Sequence, residues 1–276
     1  MLGTYGLPTD VDAAPEWQSE LLDLDAYLAR IGHDRGRPSA DALHSLHRAH
    51  VLAIPFENID VILGTHPGIG LDAIQSKLVG RQRGGYCYEH ALLFGAALEQ
   101  LGYDVVRRVA RVQPHKTGPR THALLEVGVD GHEFLADVGF GAGQLYPTPL
   151  KDGAVVDQAG WDHRLELDGD VWTLSKKTAD GWIPQHASND EPVRPIDYEV
   201  YHHYVSTHPN SPFTGRPVVI RVAEGVVRRL VGDTLTVEHA DGRSTSRTVP
   251  AADLPDALAS LDVVLTDEEI DRLRLV

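Results

Sequence analysis

The sequence predicts an α+β protein: a helical N-terminal unit, then an antiparallel β unit, then a short helical end. Apolar residues recur at helical spacing from Leu24 to Gly102. From Tyr103 to about Thr248 that period gives way to β-branched runs, punctuated by Asp-Gly pairs at 130–131, 168–169, 180–181 and 241–242. Asp-Gly between two strand-like runs marks a hairpin, because both turn residues need positive φ. Such a series suits a barrel or a strongly curled sheet.

Residues 1–20 carry Gly, Pro and acidic residues without periodicity and read as an irregular arm. Leu24, Tyr27, Leu28 and Ile31 then fall at i, i+3, i+4 and i+7, with Gly32 placed as a C-terminal cap. Leu43, Leu46 and His50 repeat the pattern after Ser39, and Pro55 stops it. Leu71, Ile74 and Leu78 mark a short helix beginning near Asp72. After Arg83-Gly84-Gly85, Ala91, Phe94, Leu98 and Leu101 share one face of a fourth helix, closed by Gly102. At the end, Asp253 with Pro255 opens one short helix, and Thr266 with Glu269 forms the capping box of another.

The 276 residues suffice for two or three packed units on one continuous core. Apolar residues make up 42% and charged residues 24%, the balance of a globular chain. A net charge of −15 argues against a nucleic-acid partner, whose phosphates need clustered cations. It leaves room for an anionic small molecule held by a few local donors. The lone Cys87 excludes a disulfide framework and a multi-cysteine metal site. No apolar run approaches the roughly 20 residues of a bilayer span, so no membrane partner is expected. Met1–Asp12 lacks the basic-then-apolar pattern of a secretory signal, which makes the cytoplasm the expected compartment.

Cys87 is the first candidate for chemistry. It follows Arg-Gly-Gly-Tyr at the start of the fourth helix, where unpaired N–H groups and the dipole favour a thiolate. Arg81 and Arg83 would add positive charge, and the glycine pair would let a substrate approach the backbone. A lone cysteine is more often a small buried hydrophobe, and the combination of features favours the reactive reading. A thiol nucleophile also needs a base and a group that orients the base.

The hairpin at Asp130-Gly131 supplies both. With those residues in the turn, Val129 pairs with His132, and Ala123, Leu125, Val127 and Val129 share a face with Val138, Ala136 and Phe134. That face is apolar, which favours this register over a one-residue slip. The other face carries His122, Leu124 and Glu126 against Gly139, Asp137 and Leu135. His122 and Asp137 become diagonal neighbours, their Cα atoms roughly 7–8 Å apart, with Gly139 leaving room above the ring. One His–Asp pair in a chain with 15 histidines is weak evidence by itself; the clean apolar face opposite strengthens it. Cys87, His122 and Asp137 are therefore nucleophile, general base and orienting acid.

Arg83-Gly84-Gly85-Tyr86-Cys87-Tyr88-Glu89 resembles the cysteine motif of the arylamine N-acetyltransferases. The resemblance takes in Ile54-Pro55-Phe56-Glu57-Asn58, Thr121-His122-Ala123, Asp137-Val138-Gly139-Phe140-Gly141 and Ser206-Thr207-His208-Pro209-Asn210-Ser211-Pro212-Phe213. It implies a helical domain over 1–102 carrying Cys87, a β-barrel domain over 103–208 carrying His122 and Asp137, and an α/β lid over 209–276, around a cysteine-protease-like catalytic core. It implies ping-pong acetyl transfer from acetyl-CoA, through an acetyl-cysteine, to an arylamine, arylhydrazine or N-arylhydroxylamine. Acetyl-CoA is then a co-substrate, with no permanently bound cofactor and no metal. Phe56, Val112, Phe140 and Gly141 would line the acceptor pocket, though core packing explains the apolar ones equally well. The family's arginine–glutamate ion pair falls on Arg83 and Glu57, making Arg83 scaffold.

Two features depart from the family: Cys87 lies deeper in the chain than usual, and Ala91 stands where many relatives have asparagine. Other signals are bland. His202, His203 and His208 cluster without a Cys, Asp or Glu at ligand spacing, which points to solvated or hydrogen-bonded roles. Gly68-Ile69-Gly70 and Gly139-Phe140-Gly141-Ala142-Gly143 complete no nucleotide-binding pattern, and His132-Glu133 lacks a second zinc-ligand histidine. Thr266–Asp271 reads as a solvated helix face. Competing functions are an amide synthase of polyketide biosynthesis, a thiol peptidase and a binding domain with a retired site; the intact Cys, His and Asp disfavour the last. The sequence leaves room for a homo-oligomer.

Overall fold

The computed structural model describes residues 17–141 and 143–274. The irregular arm lies outside the described residues up to position 16. Four helices form where the periodicity places them. Helix α1 (Leu24–Ile31) starts where Asp23 accepts the Ala26 N–H and ends at Gly32, φ 66°. Helix α2 (Ala40–Ala53) starts where Ser39 accepts the Ala42 N–H. The chain then makes two elements that periodicity is too short to reveal, strand β1 (Phe56–Glu57) and helix α3 (Ile59–Ile62). Helix α4 (Leu71–Gln75) runs into a π-helical turn over 76–80. Helix α5 (Cys87–Leu101) is buried on nearly every side, so it is the central strut of this part.

Eight antiparallel strands follow: β2 (Asp104–Val112), β3 (Arg120–Val129), β4 (His132–Ala136), β5 (Thr148–Pro149), β6 (Ala154–Asp157), β7 (Asp162–Asp168), β8 (Val171–Thr178) and β9 (Gly181–Asn189). Their order is β5-β4-β3-β2-β9-β8-β7-β6, and the end strands β5 and β6 lie side by side, so the sheet curls into a near-closed barrel. Ala110, Leu124, Leu135, Leu165 and Leu174 fill its interior. The opposite face of β3 and β4, with Leu125, Val127, Phe134 and Ala136, packs into the helical core. Both faces of this hairpin are thus buried, and its register is the expected one: Val129 pairs with His132, Val127 with Phe134, Leu125 with Ala136.

The Asp-Gly pairs all lie at chain reversals, but they differ in turn type. Only Asp130-Gly131 has both residues at positive φ, 53° and 74°. At 168–169 the ladder pairs Asp168 with Val171, so Gly169-Asp170 is the turn. Thr178 pairs with Gly181 and the His239 carbonyl accepts the Gly242 N–H, so there the glycine follows a turn made by the preceding residues. Glycine takes the left-handed position in each; where it falls depends on loop length.

The expected unbroken β stretch is interrupted by helix α6 (Pro195–Thr207). Its start signal is present in the sequence: Pro195 occupies the first turn and Asp197 accepts the Arg194 N–H at 2.8 Å. A second antiparallel sheet follows, β10 (Val218–Ala223), β11 (Val226–Val231), β12 (Thr234–His239) and β13 (Ser244–Thr248), with β1 added at its edge. Helices α7 (Leu254–Ala259) and α8 (Asp267–Leu273) close the described chain, α8 with the expected Thr266–Glu269 box. No helix among the described residues is long and apolar enough to cross a membrane.

Candidate active site

The Arg83–Glu89 segment is held from three directions before it presents Cys87. Gly85 makes a parallel bridge to Phe56, while Phe56 pairs with Ile220 of β10. A Cβ on Gly84 would lie 2.2 Å from the Pro55 carbonyl oxygen, and one on Gly85 would lie 2.6 Å from the Glu89 carboxylate. The expectation that these glycines admit a substrate is therefore corrected: Gly84 admits the Pro55–Glu57 segment and Gly85 the Glu89 side chain. Glu89 accepts the Tyr86 N–H at 3.0 Å and so caps α5. Lys77, buried, spans Glu89 at 2.9 Å and Asp60 at 3.3 Å. Arg83 spans Asp60 at 3.4 Å, Glu57 at 2.8 Å and Glu269 at 3.1 Å.

Arg83 is thus scaffold, and Arg81 is also paired with Glu269, at 2.7 Å. Neither supplies free positive charge to the sulfur, contrary to the first reading of that motif. Glu269 is correspondingly no member of a solvated face. The sequence reading missed Lys77 and Asp60, although a lysine three residues after Ile74 on a buried face was a signal.

Behind the cysteine turn runs a neutral hydrogen-bond chain. His90 Nε2–H donates to the Gly85 carbonyl at 3.1 Å, so its Nδ1 accepts from His50 Nε2, 2.9 Å away, and His50 Nδ1 accepts from the Tyr27 hydroxyl at 2.8 Å. Burial lowers both imidazole pKa values, that of His90 to about 4, and the chain admits no extra proton.

Cys87 opens α5, and Gly139 packs against its backbone: a Cβ there would lie 2.9 Å from Cys87 Cα. Gly139 makes room for the cysteine turn rather than for the imidazole. Cys87 Sγ makes one long contact to the Thr121 carbonyl, 3.9 Å, which also accepts the Tyr88 hydroxyl at 2.6 Å. The next residue is His122. Its Nε2 lies 2.7 Å from Asp137 Oδ2, and its ring lines the same cavity as the Cys87 sulfur. Burial works against the imidazolium, yet the Asp137 carboxylate, aided by the sulfur, raises the His122 pKa to about 10. Burial likewise opposes the Asp137 anion, and His122 and His186 overcome it, holding that carboxyl far below its ordinary range.

These residues meet at a cavity of about 620 Å³ that Cys87 and His122 line. All four expected pocket residues reach it. Phe56, Phe140 and Gly141 form its wall with Phe213 and Ile220, and Val112, 38% exposed, stands at its rim. Gly141 has φ 72°, and a Cβ there would meet Ile220 at 2.9 Å. His202, from the histidine cluster, is hydrogen-bonded to the Tyr86 hydroxyl, and its ring centroid is 4.6 Å from that of His66. The sequence reading missed His186, whose Nε2 lies 3.1 Å from Asp137 Oδ2. Strand alternation could have turned it inward; nothing local identified its partner.

A thiol at a helix start, sharing a cavity with an imidazole that a buried carboxylate contacts, defines the class of thiol-dependent group-transfer proteins. The N-acetyltransferase family model matches residues 39–268. An arylamine N-acetyltransferase of Mycolicibacterium smegmatis is 39% identical over 87% of this chain and 90% of its own length, and one of Escherichia coli is 31% identical over 89% and 87%. The solved arylamine N-acetyltransferase of Nocardia farcinica superposes with a TM-score of 0.88, 40% identity, and coverage of 94% of this chain and 95% of that one. That of Mycobacterium marinum, solved in complex with CoA, gives 0.85, 33%, 92% and 99%. The chain belongs to the arylamine N-acetyltransferase family.

Proposed function

We propose that Cys87 takes the acetyl group from acetyl-CoA and passes it to the nitrogen of an aromatic amine, hydrazine or N-arylhydroxylamine. His122 carries the proton and Asp137 holds His122. The observation that carries this reading is the 2.7 Å His122–Asp137 contact behind a cysteine that opens into the cavity.

Before the first half-reaction the Cys87 thiol proton already rests on His122 as a thiolate–imidazolium pair, and the sulfur attacks the thioester carbonyl carbon. The bond from that carbon to the CoA sulfur breaks, CoA leaves with the proton from His122, and acetyl-Cys87 remains. In the second, the amine nitrogen attacks the same carbon, its proton goes to His122, and the Cys87–carbon bond breaks to release the amide. The Cys87 N–H at the start of α5 is a ready donor to the carbonyl oxygen as it becomes negative. No Asp or Glu is among the described residues lining the cavity, so no carboxylate there would pair with an ammonium ion. Its phenylalanine-lined wall suits a flat ring whose amine is neutral at pH 7.

Intact mass after mixing with acetyl-CoA tests the reading. One acetyl group is expected on the wild type and none on Cys87→Ser, with CoA release that accelerates on adding an arylamine but not a peptide. No adduct and no amine-dependent release would defeat it.

A further inference from the structure

Asp137 is shared between two imidazoles. Oδ2 lies 2.7 Å from His122 Nε2 and 3.1 Å from His186 Nε2, while Oδ1 accepts the Gly139 N–H at 3.3 Å. All three side chains are buried. The sheet places them together: across β2, Ala110 pairs with His122 and Val112 with His186, so both histidines project from one face. The Phe140 ring packs edge-on against both, with centroids 4.9 Å and 5.1 Å away. His186 Nε2 approaches Oδ2 obliquely, short of hydrogen-bond alignment, and neither ring nitrogen has another partner among the described residues, so a small turn of the ring would bring Nε2–H onto Oδ2.

A carboxylate this deep needs donors, and no Lys or Arg pairs with Asp137 among the described residues. One imidazolium balances its charge; a second would leave a net positive charge in a buried site. Burial lowers the His186 pKa, against the pull of Asp137, which keeps that ring neutral. The other titratable groups around the trio are Cys87 on α5, His47 on α2, His163 on β7 and Tyr198 on α6. Burial holds both of those histidines near 4 and pushes the Tyr198 phenol well above its usual value, so none of the three changes charge near neutrality.

We propose that His186 is a positioning residue for the transfer reaction: as a neutral ring it donates Nε2–H to the oxygen that holds His122, and so limits how tightly the Asp137–His122 pair keeps its proton. The proposal rests on the reading of Cys87 and His122 given above. A hydrogen bond to an anion lowers its basicity. Without it, Asp137 binds the His122 proton more strongly, and the imidazolium yields it less readily to the departing CoA sulfur.

The test is single-turnover CoA release from acetyl-CoA, without acceptor, followed from about pH 6 to about pH 10. His186→Phe keeps the ring volume and removes the donor. It is expected to slow release roughly 10-fold, the effect of about one charge-assisted hydrogen bond, and to move the alkaline limb of the profile to higher pH. His186→Gln, whose amide reaches Oδ2, is expected to restore both. His186→Asn, polar but too short to reach, gives the same loss where the phenylalanine variant does not fold. An unmoved alkaline limb in the folded Phe or Asn variant, or a Gln variant as impaired as Phe, overturns the role of His186 while leaving acetyl-Cys87 in place. A wild type that takes no acetyl group overturns the reading of Cys87, and this proposal with it.

Discussion

His122 keeps its proton because of what surrounds it. Burial alone would lower its pKa, and Asp137 raises it to about 10, above the roughly 6.5 of an unfolded chain. A group whose folded pKa is raised contributes its full stabilisation below the unfolded value and loses it as pH climbs to the folded one. The denaturation midpoint in urea is therefore expected to fall between about pH 6.5 and pH 10, and His122→Gln should flatten that decline. Asp137→Asn should lower acetyl turnover on the order of 10³–10⁴-fold, with the far-UV circular dichroism unchanged. A loss below tenfold would rule out an orienting role. Cys87, His122 and Asp137 were legible because helix start and hairpin register are local. His186 was not, because its partner lies just past the end of β4, far from it along the chain.

At the scale of elements, the cysteine turn is held by shape. Gly84 lets the 83–87 segment lie against β1, which bridges to β10. Gly84→Ala would drive a methyl group into the Pro55 carbonyl, and is expected to lower stability by about 1–3 kcal/mol or more, read from the urea midpoint. A stable Gly84→Ala protein would show that this packing is looser than the 2.2 Å approach implies. Periodicity identified α1, α2, α5 and the β3–β4 hairpin because each repeats a pattern over many residues. It missed β1 and α3, which are too short to repeat one, and α6, whose amphipathic signal is weak although its start is well marked.

Across the molecule, the buried chain Glu57–Arg83–Asp60–Lys77–Glu89 ties α3, α4 and its π-helical turn to α5, and Glu269 extends it to α8. Removing one member leaves its partners charged and unpaired out of water. Arg83→Met is therefore expected to destabilise by about 3–5 kcal/mol, while Glu269→Gln, at a half-open end, does much less. Equal effects of the two on the melting temperature would contradict this ordering.

By itself the sequence determined the longer helices before residue 102, the β3–β4 register and the pairing of His122 with Asp137, because caps, turns and period-two alternation act over a few residues. Only the tertiary structure decided which groups face the sulfur and which are neutralised elsewhere. Arg81 and Arg83 lie close to Cys87 in sequence yet are bound to carboxylates, whereas His186, distant in sequence, shares the oxygen that His122 uses. Charge in a buried site depends on neighbours in space, and chain order does not carry that information.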